Sequence, residues 1–141
     1  RSMAGMRVGY AIGNPELIRA MNDVKYSYNS YTMNHPSMVF AVEAVKDKAY
    51  FEETLAKIIK TREWTKQELE RLGFEVLDSK TNFLFAAPSK LPAEEVFTKL
   101  RERKILVRYF KKPRIDKFLR ITIGTDAQMQ KMVEALEEIF A

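Results

Sequence analysis

The chain of 141 residues contains no cysteine, a single histidine (His35), one tryptophan, five glycines and five prolines. Without cysteine there is no disulfide framework, no thiolate metal ligand and no thiol nucleophile. One histidine excludes a multi-histidine metal site within one chain, and no metal is expected. No apolar run approaches the length that spans a bilayer, and no signal peptide is visible, so neither a membrane nor a secretory route is expected. There is no internal repeat and no low-complexity tract.

What is present is a soluble, globular balance. Hydrophobic residues make up 46% and charged residues 30%, enough for one ordinary domain with a packed core. The formal net charge is +5, but 24 Lys and Arg are interleaved with 19 Asp and Glu. Alternation of that kind along helical stretches reads as a solvated face, and only Lys111, Lys112, Arg114 and Lys117 form a locally basic segment. No nucleic-acid partner is expected from this pattern. A cytoplasmic protein is expected.

The order of elements follows from punctuation and periodicity. Met6–Gly13 reads as a strand with closely approached glycines. Asn14-Pro15 starts a short helix over 16–24, with Asn as N-cap and Pro at its first position. Residues 26–36, rich in Tyr, Ser, Asn and Thr, read as an extended connector. Ser37 is expected to cap a long helical region reaching about Leu72, roughly 50 Å if straight. Its apolar stripe loses phase near Asp47–Tyr50, which predicts a break, and Gly73 is the stop. Strands are predicted over 74–77, 82–87, 105–110 and 118–123. A helix from Pro92 to about Arg103 and a last helix capped by Thr125 and Gln128 complete the unit. The fold class is α/β, with an α+β small domain: a long helix leads into a small sheet covered by helices. Residues 1–36 read as a remnant of a larger unit, 37–72 as a helical region between domains, and 73–141 as a C-terminal small domain.

Strand alternation singles out two cations. In 118–123, Leu119, Ile121 and Ile123 share one face, so Arg120 points to the other. In 105–110, Ile105 and Val107 share a face and Arg108 takes the opposite one. If these strands pair, both guanidinium groups leave the same side of the sheet. They repel unless water or an anion lies between them, and a planar fork of donors suits phosphate or carboxylate. Spacing alone leaves two readings open: an anion site, or two solvated surface arginines. Arg1 before a small-residue turn matches the make-up of a phosphate cradle. Arg7 reads as a structural ion-pair partner. Tyr26, Tyr28 and Tyr31 read as connector packing, Trp64 as core or interdomain packing, and His35 as a turn residue. Phe83 and Phe85 share a strand face, which keeps a non-enzymatic αβ ligand- or RNA-binding module as the alternative. A split or inactive relative that binds a partner is a third reading.

The run Arg1-Ser2-Met3-Ala4-Gly5-Met6-Arg7-Val8-Gly9-Tyr10 resembles the segment that follows the pyridoxal-phosphate (PLP) lysine in fold-type I aminotransferases. Asp47-Lys48-Ala49-Tyr50, Arg62, Leu72-Gly73-Phe74, Thr81-Asn82-Phe83, Ile105-Leu106-Val107-Arg108 and Leu119-Arg120-Ile121-Thr122-Ile123-Gly124-Thr125 resemble the histidinol-phosphate branch, in that order. The resemblance implies that residues 1–36 include a short remnant of the large PLP-binding domain. The Schiff-base lysine would stand upstream of residue 1, so no catalytic residue falls in this chain. Arg1 would bind the PLP phosphate. Arg120 would bind the anionic end of the substrate and a carboxylate of glutamate. Arg108 would help hold the substrate phosphate. The parent enzyme would use PLP to move an amino group between glutamate and imidazole-acetol phosphate or histidinol phosphate in histidine biosynthesis. Its partners would be that phosphate ester or an amino-acid substrate, glutamate, and a second copy in a homodimer. The isolated chain would be inactive.

Overall fold

The computed structural model describes residues 3–141. They divide into two compact units, one reaching Glu53 and the other running from Thr54 to Ala141. Among the described residues no helix is long and apolar enough to cross a membrane.

The first unit holds two helices and the start of a third. Ala4–Met6 is a single 3-10 turn closed by Arg7 in the left-handed region, φ 57°. Residues 7–14 carry no regular structure, so the strand expected over Met6–Gly13 is not formed. A strand exists through ladder bonds to a neighbour, and the four strands among the described residues all belong to a sheet elsewhere in the chain. Helix α1 spans Pro15–Tyr28, capped as expected: the Asn14 side chain accepts from the Glu16 amide at 2.8 Å. It runs past the predicted end because no glycine or proline interrupts 25–28.

Helix α2 spans His35–Lys46. Its cap is Asn34, not Ser37: the Asn34 side chain accepts from the Ser37 amide at 2.8 Å. Pro36 lies in the first turn, where its missing N–H costs nothing. Ser37 is buried instead, and its hydroxyl donates to the Met6 carbonyl at 3.3 Å. His35 is the first helical residue rather than part of a turn. The expected break falls at Asp47, after which α3 runs over Lys48–Arg71. Asp47 Oδ1 accepts from the Tyr50 amide at 3.2 Å, so the break is itself a cap.

The second unit begins within α3. Gly73, at φ 92°, ends that helix and turns the chain into β1, Phe74–Leu77. The remaining elements are β2 (Phe83–Pro88), α4 (Ala93–Glu102), β3 (Arg108–Tyr109), β4 (Leu119–Thr122) and α5 (Asp126–Phe140). The sheet is antiparallel, in the order β1-β2-β4-β3. Its core face carries Phe74, Leu84, Ala86, Leu119 and Ile121. Val96 and Leu100 of α4 meet it, with Met129, Met132, Val133 and Leu136 of α5 and Leu69 of α3. Each fully buried aliphatic side chain there contributes about 1.5–3 kcal/mol. Helix α5 carries the expected capping box between Thr125 and Gln128.

β3 is shorter than predicted, and the end of α4 claims the first residue of the expected strand. The Ile105 amide donates to the Leu100 carbonyl at 2.9 Å and the Lys104 amide to the Arg101 carbonyl at 2.9 Å. This is a Schellman stop, with Lys104 left-handed at φ 61°. Glycine tolerates that conformation, whereas a residue with a Cβ is strained in it. Lys104→Gly is therefore expected to raise stability by up to about 1 kcal/mol, read as a higher urea midpoint with unchanged slope. A lower midpoint would show that the lysine side chain has a contact worth more than the strain.

Candidate functional site

Arg120 is placed by the alternation of β4. Leu119 and Ile121 are buried in the core on one face, so Arg120 leaves on the other. β3 pairs with β4 so that Arg108 lies directly opposite Arg120. Ile105, Val107 and Tyr109 pack toward the core, and Tyr109 lies against Phe97 with ring centres 5.9 Å apart. Both guanidinium groups therefore stand on the same outer face. On Arg120's other side, β2 places Phe85 in register with it. Phe83, two residues along on the same face, has its ring centre 5.3 Å from Arg120 Cζ.

The surroundings leave this pair of cations uncompensated. Among the described residues neither Arg108 nor Arg120 makes an ion pair. Glu75 on the same face is taken by Lys117 at 3.5 Å, and Glu94 is taken by Lys111 at 3.0 Å. The hydrogen bond to Glu94 and its charge push the Lys111 ammonium above its ordinary range. Arg120 Nε is buried and has no hydrogen-bond partner among the described residues. An unsatisfied buried donor on a cation costs about 1–3 kcal/mol, so its presence beside a second cation favours an anionic acceptor.

The aromatic residues of this face do not form a free stacking platform. Phe83 is covered by the Arg120 guanidinium. Phe85 is stacked on Phe118, with ring centres 4.5 Å apart and planes 14° apart. An RNA-binding sheet needs open rings on its central strands, and these two are occupied within the chain.

The other residues singled out from sequence lie elsewhere. Arg1 is outside the described residues. Arg7 makes no ion pair among them, and its Nη1 donates to the Ala4 carbonyl at 3.4 Å. Tyr26, Tyr28 and Tyr31 are exposed. Trp64 packs against the core and lines a groove of about 380 Å³ with Lys60, Thr61, Asp126, Ala127 and Gln130. No group of three side chains that could hold a metal occurs among the described residues.

Two structural roles escaped sequence reasoning. Arg62 on α3 is buried, and its Nη1 donates to the Thr81 carbonyl at 3.0 Å. The next residue, Asn82, accepts from the Ile123 amide at 2.9 Å, so this contact helps anchor the loop that enters β2 below Phe83. No local signal separates such an arginine from a solvated helical one. The second is Phe110, whose ring lies 5.3 Å from Arg108 Cζ and 5.7 Å from Arg120 Cζ. Its parity with Arg108 was available in the sequence, since residues two apart on a strand share a face.

Residues 1–136 match the family model described as aminotransferase class I and II. The chain is 50% identical over 139 residues to the histidinol-phosphate aminotransferase of Brachyspira hyodysenteriae, covering 99% of this chain and 39% of that protein. It is 50% identical over 141 residues to that of Clostridium acetobutylicum, covering 100% of this chain and 40% of the relative. A solved histidinol-phosphate aminotransferase from Clostridium acetobutylicum superposes with a TM-score of 0.85 at 28% identity, over 98% of this chain and 42% of that one. One from Sinorhizobium meliloti, solved in complex with pyridoxal-5'-phosphate, gives 0.83 at 26% identity, over 98% and 38%. The chain thus spans about 40% of the length of these relatives.

Proposed function

The chain belongs to the class I and II aminotransferases, and on that premise we propose that the protein containing it exchanges an amino group between glutamate and imidazole-acetol phosphate or histidinol phosphate. The observation that carries this reading is the opposition of Arg108 and Arg120 on neighbouring strands, unpaired, with a buried guanidinium nitrogen awaiting an acceptor. In this reading Arg120 holds the anionic end of the substrate and, in the other half-reaction, a carboxylate of glutamate. Arg108 adds a second fork for the phosphate, whose charge and oxygen count exceed those of a carboxylate. Residues 73–141 act as the substrate-gripping domain, 37–72 as the helical link to it, and 1–36 as part of the cofactor-binding domain. The enzyme is a cytoplasmic homodimer.

PLP supplies the electron sink for the exchange when bound. The segment from Arg1 to Arg7 is assigned to its phosphate. The exposed Arg7 fits such a dianion, because its guanidinium meets no carboxylate among the described residues. The test uses full-length protein purified with PLP. Glutamate-dependent amination of imidazole-acetol phosphate is expected to exceed amination of the phosphate-free keto analogue at least tenfold in kcat/KM. Equal rates with the two acceptors would reject the phosphate-ester reading. In the same preparations Arg1→Ala is expected to weaken cofactor retention. If only Arg7→Ala does so, the phosphate contact belongs to Arg7.

A further inference from the structure

Two like charges placed opposite each other on adjacent strands destabilise the pairing of those strands. Here the electrostatic relief is an aromatic one. Phe110 follows β3, and its ring centre lies within 5.3 Å of Arg108 Cζ and 5.7 Å of Arg120 Cζ. Both distances fall inside the range in which the negative face of a ring attracts a guanidinium. The two cations are not equally supported. Arg120 has a second ring, Phe83, at 5.3 Å, whereas among the described residues Phe110 provides the one ring contact of Arg108.

The ring's own position is fixed from behind. Tyr109 pairs with Leu119 and packs against Phe97 on the core side. The Phe110 carbonyl accepts from the Lys112 amide at 2.8 Å, and the Lys111 ammonium pairs with Glu94 in the first turn of α4. The backbone on both sides of Phe110 is therefore tied down, and alternation leaves its half-buried ring on the arginine face.

We propose that Phe110 is a positioning residue for substrate specificity: its ring holds the Arg108 guanidinium beside that of Arg120, so that the face accepts a phosphate ester in preference to a carboxylate. This rests on the substrate reading above. Without the ring Arg108 is free to swing into solvent, and Arg120 keeps Phe83. The loss should therefore fall on the phosphate-bearing substrate. Phe83→Leu should act through Arg120 and weaken both substrates.

The experiment measures kcat/KM for the phosphate ester and for glutamate in full-length holoenzyme, and takes their ratio within each preparation. That ratio is independent of the fraction folded. Phe110→Leu and Phe110→Met are expected to lower it about three- to tenfold, chiefly through KM for the phosphate ester, as loss of one such cation–ring contact implies. Phe110→Tyr, which keeps the ring, should restore it. Phe83→Leu should lower both values with little change in ratio. The proposal is overturned if the ratio stays within about twofold of the parent in both Leu and Met variants, or if Phe110→Tyr shifts it as much as Phe110→Leu. Arg108→Ala separates the two levels. If it shifts the ratio while Phe110→Leu does not, the ring's role alone fails. If Arg108→Ala leaves the ratio unchanged, the substrate reading fails and the proposal with it.

Discussion

Arg120→Ala in the full-length enzyme is expected to lower kcat/KM about 100-fold in both half-reactions, with Arg108→Ala lowering it for the phosphate ester more than for glutamate. Losing one charge-assisted hydrogen bond costs about 1.5–3 kcal/mol, and about 1.4 kcal/mol corresponds to a tenfold change. A two-pronged contact from a guanidinium to one anion lies at the upper end of that range. Arg120 has the geometry for such a contact. It sits on a short strand whose neighbours Leu119 and Ile121 are locked in the core, and its guanidinium lies between the rings of Phe83 and Phe110. Its buried Nε has no acceptor among the described residues, so a bound anion meets a donor that is already desolvated. Arg120→Lys should recover little, because an ammonium cannot reproduce the planar fork. Steady-state kinetics with each substrate varied in turn decides the matter. Equal losses for both substrates in Arg108→Ala would reject the division of labour between the two arginines.

The second large effect concerns the 141 residues as a separate polypeptide. No transamination is expected from them alone, and no single lysine should be labelled when they are incubated with PLP and reduced with borohydride. Transamination needs an amine held at the cofactor's reactive carbon, both to bond to it and to carry a proton. A nucleophilic lysine has its pKa lowered by burial or a neighbouring cation. Two lysines of this chain are pushed the other way. Asp78, by a hydrogen bond and its charge, raises Lys66, and Glu94 does the same for Lys111. Both amines are held as ammonium ions. Scattered, substoichiometric labelling of exposed lysines is the expected peptide map, with glutamate turnover at background in the parallel assay. One stoichiometric adduct accompanied by turnover would place a catalytic lysine inside this chain and overturn the assignment.

The places where sequence reading succeeded share a cause. The Asn14 cap, the break at Asp47, the stop at Gly73 and the Thr125–Gln128 capping box each depend on groups a few residues apart. Short-range hydrogen bonds and backbone preferences decide such features before any distant segment is involved. Strand alternation is equally local, and it placed Arg108 and Arg120 on one face once the strands paired. The misplaced features depended on distant groups or on competition between neighbours. The glycine-rich run of 6–13 has the composition of a strand but no ladder partner among the described residues. Ser37 could cap a helix as well as Asn34 could, yet its hydroxyl is drawn to the Met6 carbonyl. The first residue of the predicted strand 105–110, Ile105, lost its amide to the end of α4.

By itself, then, the order of residues determined the helix boundaries at Asn14, Asp47, Gly73 and Thr125, the core-facing stripe of the strands that form and the two arginines worth watching, because those rest on periodicity and on bonds within one turn. The tertiary structure alone decided that Arg108 stands opposite Arg120 rather than one step out of register, that Phe110 contacts both cations, and that Arg62 reaches across to the Thr81 carbonyl. A one-residue slip between β3 and β4 would preserve every local preference in this chain and separate the guanidinium groups onto opposite faces. What prevents it is the simultaneous burial of Leu119 and Ile121 in the core and of Tyr109 against Phe97, a condition met only when helices and strands far apart in sequence pack together.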